Sequence, residues 1–241
     1  MSVRNVPTPT GGWFEPWPVV AEIAEELYPA PLTLVGGLMV QVHAVIGGLA
    51  GFRATRDVDL LVDVLSNAAS VSTVGSALVR LGFVVRRPLT RGAPIHRFER
   101  GDDIVDLLVP DHLRPVPKYS GLSLMAIDGG TQALRKSERV GMSIGNAGIE
   151  FLVPDALGAL ILKAAAHTAD TRNRARHRRD AALLASLIDD PLIERKRLQG
   201  SDVKRLHRLA EALSDRFDDA WQLLPEDSRQ RGQDAVRILA G

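Results

Sequence analysis

Two aspartates one residue apart, Asp57 and Asp59, open the apolar, β-prone run Asp57-Val58-Asp59-Leu60-Leu61-Val62. Side chains two apart on a strand share a face, so this spacing puts both carboxylates on one side and Val58 on the other. Held that close, two carboxylates repel each other. An oxygen-liganded divalent cation relieves the repulsion, and Mg²⁺ typically takes one or two carboxylates together with substrate phosphates. Upstream, the short apolar run Leu32 to Val35 ends in Gly36-Gly37, ahead of a mostly apolar segment of helical length. Glycine permits a tight turn and close approach of a ligand, and a helix N-terminus offers free N–H groups to phosphate. Alone, a Gly-Gly pair after a strand reads as a turn, and a lone Asp-x-Asp as a solvated loop. In combination, separated by one helix and preceded by Arg53-Ala54-Thr55-Arg56, they point to a metal–triphosphate site.

A third acid stands out. Asp106 sits inside Ile104-Val105-Asp106-Leu107-Leu108-Val109, an apolar run that pairs naturally with Ile95 to Arg100 across an Asp102-Asp103 turn. It either caps something locally or faces a polar site while its neighbours face the core. Asp102, Asp103 and Asp111 flank the strand and read as turn residues. Lys163 lies in Leu157-Gly158-Ala159-Leu160-Ile161-Leu162-Lys163, an apolar helix where a lysine must snorkel or pair. Asp180 follows the basic run Arg172, Arg174, Arg176, Arg178, Arg179. That run is either a solvated helix face or a groove for an RNA backbone with salt-sensitive binding. His167 and His177 lack metal-ligand partners at suitable spacing and read as structural or surface residues; His43 reads as an interior histidine.

These motifs resemble the DNA polymerase β-type nucleotidyltransferase superfamily, and within it the AbiEii/MenT-like branch of toxin–antitoxin nucleotidyltransferases. The resemblance is strongest over residues 32–63 and returns in pieces to about residue 190. It implies a mixed-sheet α/β core with a helical C-terminal region, and a Mg²⁺-dependent enzyme (Mn²⁺ being the substitute) that uses a nucleoside triphosphate as co-substrate. Asp57, Asp59 and Asp106 would bind two metals. Gly36, Gly37, Arg53, Thr55 and Lys163 would hold the nucleotide, and Lys163 with Asp180 would complete the catalytic set. The branch further implies transfer of a nucleoside monophosphate to the 3′ acceptor end of tRNA, blocked translation, and a cognate antitoxin partner. A small-molecule, antibiotic-modifying nucleotidyltransferase, a protein-modifying one and a non-catalytic binding module stand as alternatives. The arginine-rich form of the basic stretch departs from the common lysine-rich one but keeps its charge.

The elements that must position these residues follow from patterning. Residues 1–16 are rich in Pro, Gly and Thr and read as an irregular arm, 17–153 as the core, and 154–241 as a helical domain. Helices are expected over 18–28, 37–48, 66–81 (capped by Ser66 or Asn67), 154–169, 175–189, 201–218 and 227–239. Short strands and a short helix are expected over 122–153, broken at Gly141, Gly145 and Gly148. The 241 residues are 45% hydrophobic with a net charge of +1 and no cysteine, so bulk charge does not argue for a polyanion and no thiolate metal site or disulfide exists. Of the 30 basic residues only five are lysines, so basic patches can grip phosphates bidentately. No signal-type core opens the chain and no run suits a bilayer, so no membrane partner and a cytoplasmic location are expected.

Overall fold

The Asp-x-Asp run lies inside a six-stranded sheet. The computed structural model describes residues 2–49, 54–66 and 70–241. In chain order its elements are β1 (Val3–Asn5), α1 (Trp17–Leu27), β2 (Leu34–Val35), α2 (Gly36–Ile46), β3 (Asp57–Leu61), α3 (Val71–Arg80), β4 (Val84–Val85), β5 (Arg97–Arg100), β6 (Asp103–Pro110), β7 (Lys118–Tyr119), β8 (Leu122–Ser123), β9 (Met125–Ile127), α4 (Gly130–Arg135), β10 (Ser137–Ile144), β11 (Ala147–Pro154), α5 (Ala156–Ala169), α6 (Arg174–Ser186), α7 (Pro191–Arg195), α8 (Asp202–Ala212), α9 (Asp219–Gln222) and α10 (Glu226–Ala240). The chain is mixed α/β, as expected, with helices throughout its C-terminal part.

The main sheet runs β2-β3-β6-β5-β4. β3 and β6 are parallel, and β5 is antiparallel to β6. β9 joins β6 in parallel at residues 108–110, beyond the β5 pairing. Both central strands are apolar on the face away from the acids: Val58, Val105 and Leu107 are fully buried. A second sheet, β1-β10-β11, meets the first where Leu152 N–H donates to Leu32 O at 2.7 Å. Residues 1–16, expected to be irregular, thus contribute a strand. Gly141 and Gly148 lie within the long β10–β11 hairpin rather than breaking it, and Gly145, at φ +57°, makes its turn.

Helix starts moved where a side chain was already committed. Ser66 donates its hydroxyl to Asp63 in a local turn, so α3 begins later, with Ser70 accepting from Thr73 N–H at 3.0 Å; Asn67 lies outside the described residues. Beyond α6, Asp190 caps the short helix α7 by accepting from Leu192 and Ile193 N–H. Asp111, expected to be a turn residue, is buried and caps α4 through Gly129 and Thr131 N–H at 2.8 and 2.9 Å. It also accepts from Arg205 on α8 at 3.1 Å. Beside it, Lys136 donates to Asp202 at 3.1 Å, and the two are 5% and 0% exposed.

This buried network ties the end of β6 and helix α4 to α8. A buried ion pair adds little net stability over an apolar pair, but removing one partner strands the other charge. Asp202→Ala should therefore cost about 3–5 kcal/mol, measured by urea unfolding. A Lys136→Met/Asp202→Leu double variant that unfolded as readily as the single one would show that the stranded charge is not the cause.

Candidate active site

Register places the acids. Asp59 on β3 is the direct partner of Asp106 on β6, and partners on adjacent parallel strands point to the same face. Asp57, two residues back, shares that face. Val35, last residue of β2, pairs with Asp59 from the other side, so the Gly36-Gly37 turn sits against the carboxylate. Gly36 has φ +69°, and a Cβ there would lie 1.7 Å from Asp59 Oδ2. A Cβ on Gly37 would lie 2.9 Å from the Thr55 side chain, which is buried. Thr55 thus packs on the turn, while Arg53 lies outside the described residues.

α2 begins at Gly36 without a side-chain cap. Its first-turn N–H groups, uncapped by any side chain, are placed to donate to an anion. Opposite stands Lys163 of α5, 3% exposed. It does not snorkel: its Nζ lies 2.7 Å from Asp180 Oδ2 on α6, both side chains buried. The contact is one of charges rather than an aligned hydrogen bond. A cavity of about 410 Å³ opens among Gly36, Asp59, Lys163, Arg176 and His177, with Leu108, Met125 and Leu162 as apolar wall. Larger clefts, beside α8 and α10 and along β4, receive none of the expected site residues.

Burial and the neighbouring Asp106 carboxylate push Asp59 up to about 6, with Asp57 acting in the same sense and Lys163 and Arg176 against it. Asp106 is held by a residue that the motifs did not single out. Arg97 on β5 is its cross-strand partner and forks onto it, Nε at 3.0 Å and Nη2 at 2.9 Å. The same Nη2 lies 3.5 Å from Asp57. The signal was present in the hairpin: a turn at Asp102-Asp103 sets Arg100 against Asp103, and counting outward sets Arg97 against Asp106. His177, read as structural or surface, lines the cavity. Its Nε2 is 3.3 Å from Asp170, its Nδ1 has no hydrogen-bond partner, and burial, then Lys163, holds its pKa down. His43 is interior, with Nε2 donating to Pro154 O at 2.8 Å.

The five arginines do not form one face. Arg176 reaches the cavity, Arg178 turns to Asp218 at 3.4 Å, and Arg172, Arg174 and Arg179 are exposed.

The donor chemistry of Asp57, Asp59 and Asp106 fits a hard divalent cation: all oxygen, on one face, with burial and then the Asp106 charge raising Asp59. As arranged, however, among the described residues no three His, Asp or Glu side chains converge on one point suited to a metal. The Arg97 guanidinium lies between Asp106 and Asp57 instead.

In comparisons with known proteins, no family model and no curated sequence matches the chain. Among solved structures, an antigenic nucleotidyltransferase-like protein from Paracoccidioides brasiliensis is similar in outline, with a TM-score of 0.49 and 14% identity over 86% of this chain and 90% of that one. Among the described residues no helix is long and apolar enough to cross a membrane.

Two outcomes follow from the geometry. Gly36→Ala forces a methyl into the Asp59 carboxylate at a left-handed backbone position, and should cost at least about 2 kcal/mol in urea unfolding. Because the folded-state pKa of Asp59 lies above its ordinary value, ionising it weakens the fold as pH rises through about 4 to about 6. In EDTA, Asp59→Asn should gain stability over the parent at pH 7 and little at pH 4; an equal difference at both would mean that Asp59 is not strained.

Proposed function

We propose that this chain is a metal-dependent nucleotidyltransferase, moving a nucleoside monophosphate from a nucleoside triphosphate to an acceptor hydroxyl. One observation carries the reading: the Gly36 turn, the Asp59 carboxylate beside Asp106, and the Lys163 ammonium meet around a single cavity. Asp57, Asp59 and Asp106 would hold Mg²⁺ or Mn²⁺, in the two-metal arrangement of the superfamily the motifs resemble. Bound there, the metal would screen the triphosphate and ease deprotonation of the acceptor hydroxyl.

The chain's own residues supply the rest. Free N–H groups at the start of α2 receive phosphate oxygens, and Gly36 and Gly37 allow their close approach. Thr55 braces that turn. Lys163 and Arg176 face the cavity and stabilise negative charge building on the pyrophosphate leaving group. Asp180 on α6 holds the Lys163 ammonium of the apolar helix α5 in place. Leu108, Met125 and Leu162 supply an apolar wall for the flat parts of the nucleotide.

An RNA acceptor is supported by exposed Arg172, Arg174 and Arg179 flanking cavity-lining Arg176, and the preference for the 3′ end of tRNA rests on the resemblance alone. The role of toxin, blocking translation and silenced by a cognate antitoxin, rests on the resemblance of the Gly-Gly, Asp-x-Asp and Lys163–Asp180 motifs.

Incubation with Mg²⁺, total RNA and each α-labelled nucleoside triphosphate should label a tRNA-sized band. Asp59→Ala should abolish the label while leaving the protein folded, and retained transfer would sink the metal assignment. Replacing Arg172, Arg174 and Arg179 with glutamate should weaken RNA binding and flatten its salt dependence, with bound nucleotide unaffected. Label entering an antibiotic or a protein, and never RNA, would reassign the acceptor.

A further inference from the structure

The carboxylate cluster already holds a cation of the chain's own. Arg97 reaches Asp106 through two nitrogens, at 3.0 and 2.9 Å, and extends the second toward Asp57 at 3.5 Å. Its position follows from the β5–β6 register, which sets Arg97 directly across from Asp106. The two hydrogen bonds to Asp106 raise its pKa further above the ordinary arginine value, so its charge is permanent. The side chain is 32% exposed, whereas Asp106 is only 12% exposed. Of the pair, the arginine side chain is thus the one more open to solvent.

We propose that Arg97 is an internal counter-ion that occupies the carboxylate site in the absence of nucleotide, and that a divalent metal ion gains Asp57 and Asp106 only by displacing its fork. This rests on the nucleotidyltransferase reading of the same site. The arginine fork takes a lone pair on each Asp106 oxygen and offsets the carboxylate's charge, so a metal ion must compete with it there. The other nearby cations, Lys163 and Arg176, bear on Asp59, with Lys163 also paired to Asp180 and Arg176 on the cavity wall, whereas Arg97 forks onto Asp106. Without Arg97, three acids on one face would stand with too little positive charge against them. A free metal ion must therefore compete with the fork and binds poorly. A triphosphate changes the balance, because its oxygens complete the metal's shell and give the released guanidinium a new bidentate partner. Metal and nucleotide then bind together, and Arg97 becomes a phosphate-positioning residue in the loaded enzyme.

The experiment uses Mn²⁺ as the probe, with the full chain free of nucleotide. Free Mn²⁺ is read by electron paramagnetic resonance, and melting temperature is read in EDTA and in Mn²⁺. The parent should bind weakly and melt at nearly the same temperature in both. Arg97→Gln, which removes charge and fork, should melt lower in EDTA, be restored by Mn²⁺, and bind it roughly tenfold tighter or more. Arg97→Lys, which keeps the charge but not the fork, should fall between them and keeps the comparison available if Arg97→Gln folds only with metal. Equal or weaker Mn²⁺ binding in both variants would overturn the proposal, since Arg97 would then be ordering the acids for the metal rather than competing with it. Absence of Mn²⁺ binding in parent and variants alike, with or without nucleoside triphosphate, would bring down the nucleotidyltransferase reading as well.

Discussion

Three carboxylates on one face of two neighbouring strands are the constraint around which this molecule is built. Burial there disfavours the charged form and leaves the repulsion from Asp106 poorly screened, and Asp59 bears both as a raised pKa. The surroundings answer with charge and with space. Arg97 forks onto Asp106 from β5, Lys163 and Arg176 approach Asp59 from the helices, and Gly36 gives up its side chain so that the Asp59 carboxylate has room. Each of these comes from a different element, so β3, β5, β6, α2, α5 and α6 must all be in place before the acids are tolerable.

The helical C-terminal part is held to that arrangement by a second set of buried charges. Asp111 at the end of β6 caps α4 and accepts from Arg205, while Asp202 on α8 accepts from Lys136. The pairs are shielded from water, and their geometry leaves little freedom for α8 to slide, because any shift would expose one charge without its partner. The result fixes α5 and α6 beside the sheet. The ammonium of Lys163 accordingly stays over the cavity instead of escaping to solvent.

Much of the site could be located in the chain because its residues defy their surroundings. An acid in an apolar strand, a lysine in an apolar helix and a paired glycine ahead of a helix are each costly unless something specific is gained. Asp59, Asp106, Lys163 and Gly36 were therefore visible as exceptions. Arg97 was not, since an arginine on an alternating strand is ordinary, and only the hairpin register makes it the partner of Asp106. His177 was hidden in a basic run whose members diverge: the helix turns about 100° per residue, so neighbours in sequence face the cavity, an acid at Asp218, or solvent.

By itself the sequence determined the order of strands and helices around the Asp-x-Asp pair, the mixed α/β class and the residue types able to bind a metal and phosphates. These follow from hydrophobic period, turn residues and side-chain chemistry, all local properties. Only the tertiary structure decided which charges neutralise which. Arg97 with Asp106, Lys163 with Asp180 and Lys136 with Asp202 are set by strand register and helix packing between segments distant in the chain or across a turn. The strength of a coulombic contact depends on separation and burial, neither of which exists until the chain has folded.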